Sequence, residues 1–399
     1  MSKKILVLAS TFPVSKNDIQ PEFVKRLCLE LAEFSDVTVL LPGAPGAVSR
    51  EFVDNLEIIR FRYFIKKYEL LSYGSGILSN LKANKFKWGL VPFFLIAQLI
   101  SMLVIIKKNE FDVIHVHWIF PQGLIAAAGT TLFKGFPPIL ITSHGADIFA
   151  LNNAIFLMLK KWILKKSKQI TVVSDVMKDY CENSLDVDPS RVSVMSMGVD
   201  FESTFTPDFV SQKNNQIVFV GRMVDKKGLS YLIDAMPLIL KVRPDVVLNI
   251  IGDGVLKPQL LKQAKKLNIE NSIIFHGPII NSKIPEILRK CSISITPSII
   301  TPSGDQEGLG LVILEAIGCG CAVIASDIPA IRTIIKNGEN GLLVPQQNHL
   351  ALAEKITYLL ENEGVRVKLS KNGRDMVCEK YDWKVVGKNY SKLLNKLPD

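Results

Sequence analysis

No two cysteines in this chain stand at the C-x-x-C spacing. The six thiols lie at positions 28, 181, 291, 319, 321 and 378, a pattern that offers neither a disulfide framework nor a thiolate zinc site. The expectation is a reduced, cytoplasmic chain. Proline and glycine are also unremarkable at 20 and 25 of 399 residues, which excludes collagen-like and low-complexity readings. The first apolar run, Ile5–Ala9, is too short for the hydrophobic region of a signal peptide and reads as a strand. No G-x-G-x-x-G turn follows that strand, so a dinucleotide dehydrogenase is disfavoured. Hydrophobic residues make up 48% of the chain, enough to bury full cores and exclude an intrinsically disordered protein. At 399 residues the length suggests two domains. The net charge of +10 favours anionic partners. Nucleic acid is not expected, because the charge comes with no recognition motif.

Short runs rich in Val and Ile alternate with helix-like segments almost from end to end. The first series is Ile5–Ala9, Val37–Leu41, Val113–Trp118, Ile139–Ser143 and Ile170–Ser174. The second is Ile217–Val220, Val246–Ile251, Ile273–Phe275, Ile293–Thr296 and Ala322–Ala325. Continuous apolar runs of this kind suit strands buried on both faces, and the intervening helices imply parallel sheets. The fold class expected is α/β, with two Rossmann-like domains facing each other across a cleft. Domains are expected at 1–200 and 216–380, joined by a linker at 201–215 that includes Pro207, Ser211 and Asn214, with a terminal segment at 381–399. Two segments can touch a membrane: the apolar Gly89–Ile106, read as a buried or interfacial helix rather than a span, and the Lys- and aromatic-rich Ala154–Lys168, which suits either an anionic bilayer surface or a packed helix with a solvated lysine face.

The stretch Pro297–Asp327 is the richest in chemistry. Glu307 and Glu315 are eight residues apart and bracket Gly308-Leu309-Gly310. On one helix this spacing separates the carboxylates by about 12 Å, with the glycine-rich amides at the helix mouth where phosphate binds. Arg222 and one of Lys226 and Lys227 follow the strand Ile217–Val220, where they can neutralise a diphosphate. Gly252 and Gly254 form a glycine turn after the next strand. In the first half, His144-Gly145 with Asp147 ends a strand, and His115 and His117 share one strand face. Those two histidines lack a third ligand in sequence, so no metal is expected. Asp186-x-Asp188 precedes Pro189 in a turn and is read as structural.

In order and spacing these pieces resemble the retaining, metal-independent glycosyltransferases of the GT-B double-Rossmann fold, the group containing sucrose synthase-like and mannosyltransferase members. The resemblance covers nearly the whole chain. It is carried by Gly221-Arg222 with Lys227-Gly228, Gly252-Asp253-Gly254, Thr296-Pro297-Ser298, Glu307-Gly308-Leu309-Gly310 through Glu315, and Asn340–Pro345, with His144-Gly145 and Asp147 upstream. It implies a nucleotide-diphosphate sugar as co-substrate, no cofactor, and a lipid-linked or oligosaccharide acceptor. It also implies that Gly221, Arg222, Lys227, Gly252 and Gly254 belong to the donor site. Glu307 would then contact the transferred sugar, the Gly308–Gly310 amides the phosphates and Glu315 the ribose. His144 would sit by the sugar, and the terminal segment would form helix packing back on the first domain. Front-face substitution with retention is implied as well.

Two departures stand out. The loop Ser10–Asp18 lacks the double glycine many members carry, so an acceptor role is expected there for Phe12 and Asp18, beside His117 and Asp147. Pro329–Thr333 replaces a Gly-Gly-Ile-Pro-Glu segment, so no carboxylate is assigned to it. A nucleotide-sugar 2-epimerase and an inactive nucleotide-sugar-binding scaffold remain open alternatives.

Overall fold

In the computed structural model the Val- and Ile-rich runs become two sheets. The structure describes residues 2–397 except 16, 17, 19, 75, 209 and 211. Lys16 and Asn17 of the N-terminal loop and Ser211 of the expected linker therefore lie outside the described residues. The chain divides into two units, Met1–Gly198 with Trp383–Asp399, and Val199–Asp382.

The first unit holds β1 (Lys4–Leu8), β2 (Asp36–Pro42), β3 (Arg50–Val53), β4 (Leu56–Phe61), β5 (Val113–His117), β6 (Ile139–Ser143), β7 (Gln169–Val172) and β8 (Val192–Val194). Their order across the sheet is β3-β4-β2-β1-β5-β6-β7-β8. Every neighbouring pair is parallel except the edge hairpin β3–β4. That hairpin corrects the expectation of a wholly parallel sheet, and its four-residue outer strand is too short and too exposed to stand out as an apolar run. Ile5, Leu6, Val7 and Leu8 are all fully buried, as helices on both faces require.

The helix Trp383–Lys396 belongs to this unit. Glycines at two of its contacts let it dock closely. A Cβ at Gly198 would lie 2.6 Å from the Trp383 ring, and one at Gly387 would lie 2.5 Å from Glu30. Tyr390 is fully buried, and its hydroxyl donates to the Met195 carbonyl at 3.3 Å.

The second unit holds β9 (Lys213–Val220), β10 (Val247–Ile251), β11 (Ile273–Gly277), β12 (Cys291–Thr296), β13 (Ala322–Ser326) and β14 (Leu342–Val344). Their order is β11-β10-β9-β12-β13-β14, parallel throughout. This is the doubly wound order in which the sequence direction reverses beside the first strand, the place where such sheets bind ligands. The segment expected as a linker at 201–215 is instead built into this unit. Phe201 and Phe205 are buried. Arg374 donates to both their carbonyls, and Arg289 Nε donates to the Thr206 carbonyl at 2.8 Å. Its polar composition reads as linker, but two aromatics anchor it and β9 begins at Lys213.

Candidate active site

In the second unit the loops after β9, β10 and β12 interlock through backbone contacts that only glycine permits. A Cβ on Gly252 (φ +131°) would fall 2.0 Å from the Gly221 carbonyl oxygen, and one on Gly254 would fall 2.4 Å from that of Met223. Gly228 adopts φ +62°, and a Cβ there would meet the Pro297 oxygen at 1.9 Å. Gly221, Gly252 and Gly254 are thus where the turns nest on one another. The Ile299 amide donates to the Lys226 carbonyl at 2.8 Å, tying the turn after β9 to the segment after β12.

This nesting separates the two adjacent lysines, which sequence could not rank. Lys226 is buried and donates to Asp305 Oδ1 at 2.9 Å and to the Gln306 carbonyl at 3.2 Å, holding the loop 301–306. Lys227 Nζ lies 2.7 Å from Glu307 Oε1. Ser298, which reasoning from sequence assigned no role, donates from Oγ to the same oxygen at 3.1 Å. Glu307 is buried. Burial alone would raise its pKa, but Lys227, Lys226 and the hydrogen bonds outweigh it, and the carboxyl titrates below its ordinary range.

The helix that follows is shorter than the glutamate spacing assumed. It runs Leu311–Gly318, with Gly310 in the left-handed region as its N-cap. Glu307 therefore precedes the helix, and the separation of about 12 Å along one axis does not apply. Gly308, Leu309 and Gly310 are buried and lead into the helix mouth, where the amides of the first turn have no intrahelical acceptor. Glu315, half-buried, is the one ionisable side chain of Leu311–Gly318. Burial pushes its carboxyl up to about 7 against the pull of Lys227. Lys227 thus acts on both glutamates. Arg222 is exposed just beyond Gly221.

In the first unit the polar residues gather at the carboxyl ends of β5 and β6. His117 and His144 rings stack at 5.2 Å, with His117 Nδ1 and His144 Nε2 3.0 Å apart. Phe23 and Trp118, not foreseen from sequence, frame His144 at ring distances of 4.8 and 5.1 Å. Asp147 is buried and organises this corner. It accepts from Ser143 Oγ and the Ile119 amide at 2.8 Å, and from the His144 amide at 3.3 Å. Its carboxyl is raised by burial, against which those bonds act. Burial lowers His144 and His115 to about 3 and His117 well below the ordinary histidine range, with neighbouring histidines adding to it for His144 and His117.

Phe12 and Asp18 do not reach this cluster by any described contact. Both are buried, and Asp18 orders its own loop by accepting from the Val14 and Gln20 amides. Asp188 likewise caps the turn at Pro189–Arg191 through Ser190, and Asp186 pairs with Lys161. Among the described residues no three His, Cys, Asp or Glu side chains form a metal-binding group.

Comparison with known proteins adds a family to this geometry. The family described as Glycosyl transferases group 1 matches residues 201–376, and Glycosyltransferase Family 4 matches residues 21–203. The chain is 31% identical over 284 residues to the phosphatidyl-myo-inositol mannosyltransferase of Mycobacterium leprae, covering 70% of this chain and 71% of that protein. The solved sucrose-phosphate synthase of Thermosynechococcus elongatus superposes with a TM-score of 0.76 at 21% identity, covering 99% of this chain and 98% of that one. The Anabaena protein HepE, solved in complex with UDP-glucose, superposes at 0.72 with 17% identity, covering 99% and 100%. These two structures share the fold, which is GT-B.

Proposed function

The chain belongs to the group 1 glycosyltransferases, and from that premise we propose that it transfers a sugar, with retention and without a metal ion, from a nucleotide-diphosphate sugar to a lipid-linked or glycan acceptor in the synthesis of cell-surface polysaccharide or glycolipid. The observation that carries this reading is Lys227, paired with Glu307 just before the helix Leu311–Gly318 and close enough to pull down the Glu315 carboxyl within it. A cation held there, with Arg222 nearby in sequence, can meet a diphosphate without a divalent ion. Glu307, kept ionised, offers acceptor oxygens to sugar hydroxyls. Glu315 lies further along the helix, where ribose hydroxyls are expected.

In the proposed reaction the bond between the anomeric carbon and the diphosphate oxygen breaks, and its electron pair passes to the leaving diphosphate. The acceptor oxygen bonds the same face of that carbon, and its proton passes to a diphosphate oxygen. The protein supplies position and charge. His144, neutral because burial lowers it to about 3, orients a hydroxyl of the sugar. The nucleotide-sugar donor is supported by the UDP-glucose complex of HepE. A lipid acceptor is supported by the phosphatidyl-inositol substrate named for the mycobacterial relative. The proposed compartment is the cytoplasm, consistent with six unpaired thiols.

Thermal denaturation with a panel of nucleotide diphosphates tests the donor. Ligand at about 100 times its dissociation constant adds roughly 2.7 kcal/mol to native stability. One nucleotide is expected to raise the midpoint of the wild type and not of Glu315→Ala. NMR of the product then reads the anomeric configuration, and inversion would sink the retaining mechanism. Product formed with no acceptor would indicate a 2-epimerase, and donor binding with no turnover a scaffold.

A further inference from the structure

The helix Val91–Lys108 is apolar on both sides but covered on only one. Lys85–Lys108 is long and apolar enough to cross a membrane, with a mean hydropathy of 2.5, yet only 28% of its most apolar window is buried. One face, including Phe94, Met102 and Ile105, faces the first unit. There the Phe94 ring lies 5.4 Å from Phe61 and 5.2 Å from Tyr63. On the opposite face Phe93, Ile96, Ile100 and Val104 follow at intervals of three and four residues, and each is about half exposed. The stripe does not end with the helix. Phe64 packs on Phe93 at 5.5 Å and on Tyr68 at 6.4 Å, extending the exposed apolar surface onto a second segment. Phe86 and Trp88 stand out from the turn before the helix, Phe86 almost fully exposed.

The segment that carries this surface is almost wholly basic. Residues 62–108 contain Arg62 and seven lysines, at 66, 67, 82, 85, 87, 107 and 108. The segment's one carboxylate, Glu69, is buried and held 2.8 Å from Arg62 Nε. A second copy of the chain docking through this face would set that positive rim against itself. An anionic bilayer meets both features, taking the apolar stripe among its acyl chains and the lysines among its headgroups. A helix crossing the bilayer would have to leave Phe61 and Tyr63. The alternative segment, Ala154–Lys166, is less suited. Its Lys160 is fully buried, donating to the Ile148 and Ala150 carbonyls at 2.8 and 2.6 Å, so its lysines do not form one outward face.

We infer that the outer face of the helix Val91–Lys108, continued by Phe64, Tyr68 and Trp88, is a docking surface for an anionic lipid bilayer, on which the helix lies in the plane of the headgroups without spanning. The inference rests on surface shape and charge and is independent of the transferase reading.

The test is sedimentation of the full chain with vesicles of phosphatidylcholine alone, or of phosphatidylcholine mixed with phosphatidylglycerol, free of any sugar donor or acceptor. The protein is expected to pellet with the mixed vesicles and to be released by salt. Phe93→Ser with Ile96→Ser is expected to weaken binding roughly tenfold or more. Lys66→Glu with Lys67→Glu is expected to weaken it and flatten its salt dependence. Tryptophan emission should shift to the blue on mixed vesicles and lose that shift in Trp88→Phe. Because all substituted side chains are exposed, unchanged melting midpoints are expected, and the lysine pair tests the inference even if the apolar pair misfolds. Wild-type protein remaining in solution with both vesicles overturns the inference, as does binding by both double variants as tight as that of the wild type. A dimer in sedimentation velocity that Phe93→Ser with Ile96→Ser dissolves, without vesicle binding, assigns the face to a second copy instead.

Discussion

His117 Nδ1 lies 3.0 Å from His144 Nε2, and one proton serves both rings. Burial keeps both neutral at ordinary pH. His117 Nε2 is buried with no hydrogen-bond partner among the described residues. A bare lone pair is tolerated there better than a stranded N–H, so the network assigns the proton to His117 Nδ1, donating to His144. His144 then carries its own proton on Nδ1.

His117→Leu removes the donor that fixes the tautomer and rotation of His144. The loss of one buried hydrogen bond costs about 1–2 kcal/mol, which predicts a fall in kcat of roughly tenfold. Affinity for the nucleotide diphosphate without its sugar, read by calorimetry, should be unchanged because the carboxylate cluster lies in the other unit. His117→Asn, which can present an amide N–H at the same place, should restore most of the rate. An unchanged kcat in His117→Leu would refute the coupling.

The three histidines also predict how the first unit fails in acid. Their folded pKa values lie below the unfolded value, so the unfolded chain binds more protons as pH falls below about 6.5. Stability is therefore complete above that pH and is lost below it, at up to about 1.4 kcal/mol per histidine per pH unit. Asp147, raised by burial, acts in the opposite sense and softens the loss. All four tryptophans (88, 118, 162 and 383) belong to the first unit, so selectively excited tryptophan fluorescence reports that unit alone. Its unfolding midpoint should drop steeply between pH 6.5 and 5. A midpoint independent of pH over this range contradicts neutral burial.

Glu315 is predicted to tie donor affinity to pH. Burial lifts its carboxyl to about 7, above the ordinary carboxylate range, so the folded state holds a proton that the unfolded chain has lost between about 4.5 and 7. Its contribution to stability is full below about 4.5 and is lost progressively as pH rises from there through 7. Ribose hydroxyls hydrogen-bond best to the ionised form, so donor binding should release a proton and weaken as pH falls from 8 to 6. Calorimetry in two buffers of different ionisation enthalpy measures the release. Glu315→Gln should abolish it and be stabilising above pH 7, and a pH-independent wild-type affinity would count against the assignment.

The neighbouring lysines should give unequal results. Lys227→Ala strands the buried Glu307 carboxylate, at a cost of about 3–5 kcal/mol, and should eliminate donor binding. Adding Glu307→Gln should recover stability without activity. Lys226→Ala releases the loop 301–306 and should impair turnover less. Equal losses of donor binding in the two single variants would show that the geometry does not divide their roles.

Much of the architecture was legible because buried parallel strands are written as unbroken runs of Val and Ile. Ile139–Ser143 emerges at its anticipated boundaries, and the two series separate where the units divide. The hairpin β3–β4 was not legible, since its edge strand is half solvated and carries no such run. The site was legible as residue types, not as partners. His115 and His117 share a face by alternation alone, and their rings stand 4.5 Å apart. The meeting of His117 with His144 depends on β6 lying beside β5, with His117 level with Thr142. The choice between Lys226 and Lys227 depends on a left-handed glycine at 228. Neither register nor a backbone dihedral is visible in composition, and neither are the bonds by which Asp18 holds the Val14 and Gln20 amides.

The helix Trp383–Lys396 gives the order of synthesis a consequence. Most of the first unit precedes the second in sequence, but its helix Trp383–Lys396 follows it, so on the ribosome the first unit must wait for the whole second unit to be made. Until then Gly198 and Glu30 face an empty seat, and the buried surface around Tyr390 is open to solvent. A chain stopped after Asp382 should keep an intact second unit and lose the first, visible as tryptophan emission shifted to the red and rapid proteolysis confined to residues before 199. The nascent first unit is thus the part of this protein that most needs protection while it is being made.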